Sequence, residues 1–383
     1  MYNYIPLEQA ADILDSYRKP VNSKERLNLI KGKPLDELFP YYGATGQVGW
    51  IDSFLTDGEY ILLGEDGAPF LNPYAEKAYI IYGKTWVNNH AHILRSKTNN
   101  EFLCYYLNYF NYKNYVSGTT RLKLTQAQMR KIPIPNIPSD EQSRIVASIE
   151  ELFSELDKAV DTLKTTKEQL EVYRQTILVD AFRAATNSTY LKVGCVCAKI
   201  VDCPHSTPKW EKSGKLCLRT TNFKRGYLDL QLPNYVSEET FHDRNRRIIP
   251  QPGDVLYSRE GSVLGIACTI PSNVYPCLGQ RMMLLRSGKK LNNRYLMHYL
   301  NSPMVTNHVI ATKGGTGSPH INVGDIKEFK IPIPSLEEQS NIVRQIEEQL
   351  SSCDNVEKTV DAILAQADAM RQSILKQAFE GTL

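Results

Sequence analysis

The side chains best suited to chemistry with nucleic acid stand in loops rich in Gly, Thr, Ser, Asn and Arg. In the first half they are Tyr41, Tyr42, Thr45 and Gln47, then Asn88, Asn89 and His90, then Thr119, Arg121 and Lys123. In the second half they are Arg219, Thr220 and Asn222, then Arg259, then Gln280 and Arg281, then Lys313, Thr316, Ser318 and His320. Arg can bond guanine bidentately and Asn or Gln adenine, while glycine lets backbone amides approach phosphate. Turn chemistry accounts for any one of these loops. Their recurrence at matched places in two halves of the chain favours binding, with Arg259 and Arg281 as the leading base contacts.

Catalytic motifs are incomplete. Gly43-Ala-Thr-Gly-Gln-Val-Gly49 lacks the terminal Gly-Lys-Ser/Thr of a phosphate loop, and Gly83-Lys-Thr85 has no glycine five residues before it. Asn72-Pro-Tyr74 is one proline short of an amino-methyltransferase motif and follows no glycine-rich cofactor loop. Asp325 with Glu328-Phe-Lys330 suggests a metal-dependent nuclease, but the matching Met129-Arg-Lys131 has no carboxylate; a charge pair at a strand edge fits better. Cys195, Cys197, Cys203, His205 and Cys217 lack zinc-ligand spacing. His90-Ala-His92 places two imidazoles on one face of a strand and, with no nearby carboxylate, reads as polar surface or base contact rather than metal. Tyr105, Tyr106, Tyr109, Tyr112 and Tyr115 form a stripe in an expected helix and read as packing. No catalytic residue and no metal are expected, and the eight cysteines read as reduced thiols.

The elements that must position these loops occur twice. Lys131-Ile-Pro-Ile-Pro135 returns as Lys330-Ile-Pro-Ile-Pro334, and from Glu141 and Glu338 onward the two copies run at a constant offset of 197 residues. Arg174-Gln-Thr-Ile-Leu178 with Ala181-Phe182 matches Arg371-Gln-Ser-Ile-Leu375 with Ala378-Phe379. Upstream, Leu94-Arg-Ser96 and Tyr106-Leu-Asn108 parallel Leu285-Arg-Ser287 and Tyr299-Leu-Asn301, and Gly118 to Leu122 sits where Gly317 to Ile321 sits. The expected plan is two similar globular domains, 1–138 and 190–334, each followed by a long helix, 139–189 and 335–383.

Ser139-Asp-Glu-Gln142 and Ser335-Leu-Glu-Glu338 read as capping boxes. A heptad follows each. Ile149, Leu156, Leu163, Leu170 and Ile177 hold one seam, with Ile145, Leu152, Ala159, Thr166 and Tyr173 at the other; in the second copy Ile346, Cys353, Val360, Ala367 and Ile374 pair with Ile342, Gln349, Val356, Ile363 and Met370. This period implies a left-handed supercoil. Val146, Phe153 and Val160 widen the stripe, so each helix should touch more than one neighbour. The fold class expected is α+β: two target-binding domains separated by two long helices packed as an antiparallel coiled coil, about a pseudo-two-fold internal repeat.

Composition is that of a globular chain: 383 residues, 42% hydrophobic, 23% charged. No apolar run approaches the ~18 residues of a membrane span and the N-terminal residues lack a secretory pattern, so a cytoplasmic protein is expected. The net charge of +3 is uneven: 1–138 carries +2, 190–335 carries +10, and 139–189 and 336–383 carry −4 and −5. A domain at +10 suits phosphate, and acidic helices suit protein partners.

Lys-Ile-Pro-Ile-Pro, the Glu-Gln signature and a long helix ending in Gln-Thr/Ser-Ile-Leu with Ala-Phe, all present twice, resemble the specificity subunit of Type I restriction-modification systems. The likeness spans the chain; Tyr41-Tyr-Gly43, Gly64-Glu-Asp-Gly67, Ser258-Arg-Glu-Gly-Ser262 and Gly317-Ser-Pro-His-Ile-Asn322 also resemble stretches of that family's target recognition domains. The resemblance implies that each domain binds half of a split double-stranded DNA target, that the paired helices act as spacer, and that two methyltransferase subunits dock on the assembly. Restriction subunits can join. The chain itself would bind no cofactor, while the complex would use S-adenosylmethionine, with ATP and Mg2+ where a restriction subunit is present. A near-neutral first domain departs from the pattern. Two other readings remain on the residues alone: a stand-alone methyltransferase or nuclease with degenerate motifs, and a coiled-coil adaptor for proteins only.

Overall fold

The structure is a computed structural model that describes residues 3–185, 188–312 and 319–383. It divides into two compact units, residues 1–164 with 361–383, and residues 165–360. Each unit therefore holds one α+β domain together with a part of each long helix.

In the first unit β1 (Tyr4–Pro6) pairs antiparallel with β10 (Pro133–Pro135), so the Lys-Ile-Pro-Ile-Pro segment forms a two-stranded ribbon. Proline has no N–H to give a ladder, and a ribbon with free outer edges tolerates it. An antiparallel sheet follows in the order β2 (Ala11–Ile13), β9 (Ala91–Ser96), β6 (Tyr60–Gly64), β7 (Ala78–Ile81). A second sheet has the order β4 (Gly46–Ile51), β3 (Phe39–Gly43), β8 (Lys84–Val87), β5 (Thr56–Asp57), its β3–β8 pair parallel. Between β2 and β3 runs a short helix, α1 (Ser23–Ile30); α2 (Asn100–Tyr109) precedes the ribbon.

The second unit repeats the scheme. Its ribbon joins β11 (Thr189–Lys192) to β22 (Lys330–Ile333). Its antiparallel sheet has the order β12 (Cys197–Asp202), β21 (Met282–Ser287), β18 (Val255–Ser258), β19 (Ala267–Thr269). The mixed sheet has the order β13 (Trp210–Glu211), β17 (Tyr235–Val236), β14 (Lys215–Leu218), β20 (Cys277–Leu278), with β14 and β20 parallel. A hairpin of β15 (Phe223–Lys224) and β16 (Tyr227–Leu228) lies between, and α4 (Asn293–Asn301) takes the place of α2. Asn108 and Asn301, matched in sequence, do one job: the amide of each exchanges hydrogen bonds with the backbone of a single residue, Ala78 or Ala267.

The long helices are α3 (Ser139–Ala184) and α5 (Leu336–Glu380). Inside the second unit they pair antiparallel: Lys167 meets Glu357, and further along α3 Arg174 binds Asp354 at 2.6 Å and Glu357 at 2.8 Å. The first unit has the matching pair, Arg371 with Asp157, whose numbers lie 197 from Arg174 and below Asp354 by the same offset. Phe182 packs edge-on against Tyr295 and Tyr299 of α4, and Phe379 packs on Phe102, Tyr106 and Tyr109 of α2. Both phenylalanines are buried, and truncating such a ring to alanine costs about 3–5 kcal/mol.

Several expectations need correction. Ile149, Leu156, Ile177, Ile346 and Val360 are buried, and Leu163, Leu170 and Ile374 half-buried, but Val356 and Ile363 are 45% and 44% exposed. The expected second seam is met at Ile145 and Ile342, which are half-buried against the cores, and widens one residue further on to Val146, Phe153 and Val160 in α3 and to Val343 and Leu350 in α5. The domain accounts for the widening: Tyr105 of α2 packs edge-on against Phe153 and draws that flank inward. The α5 capping box forms, with Ser335 and Glu338 exchanging bonds. The α3 box does not, because Gln142 turns inward, donating to the Ile137 carbonyl and accepting from Thr98. Its true counterpart is Gln339, which donates to Pro334 and Lys290 carbonyls and accepts from the Asn292 amide. The tyrosine helix stops at Tyr109; Tyr112 lies beyond it, fully buried, and donates to the Leu107 carbonyl.

Candidate nucleic-acid interface

In the first unit the chain reversal after β6, the β8–β9 turn and the loop after Ser117 are tied by backbone hydrogen bonds: Glu65 N to His90 O, Leu124 N to Glu65 O and Gly67 N to Leu122 O. Asn89, His90, Arg121 and Lys123 thereby come to one rim. His90 Nδ1 lies 2.6 Å from Asp66, Arg121 donates to Asp66 at 2.8 Å, and Lys123 reaches Glu65 at 3.1 Å. Thr45 and Gln47 stand exposed on the β3–β4 hairpin, Thr119 is exposed, and Tyr42 is half-buried, its strand accepting the Asn88 amide.

Two first-unit candidates prove structural. Tyr41 is buried and its hydroxyl donates to the Val21 carbonyl. Asn88 is buried and its side chain accepts the His90 amide, shaping the turn. Below the rim His92 is fully buried, with Nδ1 2.7 Å from Asp15 and Nε2 3.0 Å from the Leu124 carbonyl oxygen. Both histidines of His90-Ala-His92 thus have carboxylate partners, contrary to expectation, because Asp15 and Asp66 arrive from distant chain positions.

Arg18 bonds Glu65 and lies 3.2 Å from Asp15, completing a partly buried charge network. Burial pushes the Asp15 carboxyl up, but the His92 hydrogen bond and charge, the Ile93 amide and Arg18 outweigh it and leave it below its ordinary value. Glu65 is likewise lowered, burial being overcome by Arg18 and Lys123. A depressed carboxylate contributes stability above its unfolded value of about 4 that is lost as pH falls through the folded value. We expect acid unfolding of the first unit to set in below about pH 4. Asp15→Asn should lower the melting temperature at neutral pH and flatten the acid limb of melting temperature against pH.

In the second unit one of the two matching register positions keeps its charge and the other reverses it. Strand pairing aligns Asp15 with Asp202 and Glu65 with Arg259. Arg259 is 7% exposed and grips Asp202 with Nε at 2.8 Å and Nη2 at 3.1 Å, so it is a buried ion-pair partner and not a free base contact. Asn222 is also buried, accepting the Arg219 amide and donating to the Asp229 carbonyl. Arg219, Thr220, Gln280 and Arg281 do come together, in a cleft of about 270 Å3 completed by Trp210 and Glu260. Arg219 lies 5.3 Å over the Trp210 ring. Arg281 has φ 66, uncommon for a residue with a Cβ, and its half-exposed guanidinium sits 3.6 Å from Glu260.

His320 is half-buried and bridges to Glu260 as Lys123 bridges to Asp66. This aligns Leu124 with Ile321, two residues from the Leu122 expected. Lys313, Thr316 and Ser318 lie outside the described residues. Trp210 is not among the residues singled out from the sequence; its stacking with Arg219 is invisible without the β13–β17–β14 pairing.

Known proteins match this arrangement. The family profile described as Type I restriction modification DNA specificity domain covers residues 9–172 and again 204–364. The chain belongs to this family. It is 29% identical over 350 residues to a putative type I restriction enzyme specificity subunit of Haemophilus influenzae, across 88% of this chain and 85% of that protein. Among solved structures it resembles a chain from work on complex assembly and conformational transition of the type I R-M system (TM-score 0.68, 18% identity, 100% of this chain and 98% of that one). It also resembles the HsdS subunit from Thermoanaerobacter tengcongensis (TM-score 0.58, 20% identity, 100% and 97%). These last two likenesses concern the fold. Among the described residues no helix is long and apolar enough to cross a membrane.

Proposed function

We propose that this chain is the DNA-reading specificity subunit of a Type I restriction-modification complex, each domain recognising one half of a bipartite target. The observation that carries this is the twofold occurrence of one plan, an α+β domain with exposed polar loops closed onto antiparallel parts of two long helices, together with the cationic cleft of the second unit. The domains differ in rim chemistry, His90 against Arg281 and Lys123 against His320, so the half-targets differ and the whole is asymmetric. The helices set the unread gap and dock two methyltransferase subunits. Support for docking comes from apolar side chains left in solvent on acidic helices: Val172, Tyr173 and Val356 in the second unit, Ile363 and Met370 in the first.

The chain contributes no catalytic group. S-adenosylmethionine belongs to the methyltransferase partners, and ATP with Mg2+ to a restriction subunit where one joins; the complex works in the cytoplasm. Co-expression with a methyltransferase subunit, followed by mapping of methylated adenines, tests the reading. A split, asymmetric motif is expected. Turnover of DNA by the purified chain alone, with S-adenosylmethionine or Mg2+, would refute the non-catalytic assignment.

A further inference from the structure

The first domain, near neutral as a whole, concentrates its positive charge. Residues 18–33 hold Arg18, Lys19, Lys24, Arg26, Lys31 and Lys33 against a single acid, Glu25. Half of this segment folds into α1, and none of the helix's residues is buried. Eight residues make at best a marginal helix in water, so something must hold it. Asn22 caps it, accepting the Glu25 amide at 2.9 Å. Arg26 anchors it, donating to the Val48 carbonyl at 3.0 Å with its guanidinium 4.7 Å over the Tyr41 ring. The seat exists because residue 49 is glycine: a Cβ there would collide with the Arg26 guanidinium.

At 100° per residue, Lys24 and Asn28 fall on the face opposite Arg26 and Leu27 on its flank, while Lys31 is the extended residue that caps the helix C-terminus. All four are exposed. Among the described residues the Lys24 and Lys31 side chains have no ion-pair or hydrogen-bond partner, whereas Lys33 is held by Asp52 and Arg18 by Asp15 and Glu65. The corresponding stretch of the second unit, between β12 and β14, contains the short strand β13 and no helix. A helix with no share in the core, pinned by one arginine so that two free lysines point outward beside the Thr45–Gln47 hairpin, is a presented surface.

We propose that this face of α1, with its C-terminal cap, is the DNA-backbone contact of the first domain, with Lys24 and Lys31 on phosphates. It rests on the specificity-subunit reading and adds the element by which a near-neutral domain grips DNA. Lysines on phosphate position a protein without conveying sequence. Each such contact adds about 0.9 to the slope of log affinity against log salt.

The test uses the full chain assembled with its methyltransferase subunits, on DNA carrying the mapped target and on unrelated DNA, through a salt series. Lys24→Ala with Lys31→Ala should weaken both DNAs by the same factor, make the salt slope shallower by about 2, and leave the methylated sequence unchanged. Equal affinity and slope in variant and wild type would overturn the proposal, as would a variant whose defect is failure to hold the methyltransferase. A wild-type complex without salt-dependent DNA binding would instead sink the underlying reading, so the two failures are distinct.

Discussion

Exchanging residues 190–334 for the matching segment of a relative is expected to replace one half of the methylated sequence completely while leaving the other half and the gap length untouched. The cores are the reason. The clusters around Leu63, Tyr112 and Ile149, around Leu62 and Ile93, and around Ile51 and Trp86 contain no residue from 190–334. Those built on Tyr257 and Tyr295, on Leu256 and Leu284, and on Val236 lie wholly in the second unit. A graft must keep the aromatic rings at 295 and 299 that receive Phe182, and the backbone at 290 and 292 that meets Gln339. With each wrong base pair costing about 1–3 kcal/mol, several changed pairs should bring the original site down to non-specific binding. Methylation mapping reads the result directly; movement of both halves would show that recognition is not divided this way.

Arg244→Met should cost about 3–5 kcal/mol, more than any exposed substitution. Arg244 is 6% exposed and has no carboxylate partner among the described residues. Its charge is met by backbone carbonyls alone: Leu278 at 2.6 Å, Gly279 at 2.9 Å, Ser206 at 3.1 Å and Pro204 at 3.2 Å. Hydrogen bonds from a charged donor are worth about 1.5–3 kcal/mol each, less than additively, and buried carbonyls stripped of a partner add to the loss. Arg244→Lys should recover only part, since one ammonium cannot span the fan of acceptors. Because the same bonds hold the chain just before Gln280 and Arg281, the variant should also lose discrimination in the second half-site. Denaturant unfolding of the assembled complex and base-by-base methylation profiles are the readouts; wild-type stability in Arg244→Met would refute the account.

The duplication was plain in the sequence because its helices repeat without gaps, and the helix seams at Ile149–Ile177 followed from periodicity. Periodicity also marked the flank at Val146, Phe153 and Val160, but not its neighbour; contact with α2 supplies that at Phe153. Loop chemistry was less legible. Arg259 has the composition of a base reader, yet Asp202, 57 residues away, claims it, and no local pattern announces a partner that strand pairing supplies. Arg26 and α1 were overlooked because an unburied helix carries no hydrophobic period to betray it.

Gln142 and Gln339 join each long helix to its domain through side-chain bonds to the chain just before α2 and α4, out of contact with any rim loop. Mutational drift among the loops is therefore mechanically silent at the hinge point. New targets can be acquired by rewriting the fingertips while the wrist keeps its angle.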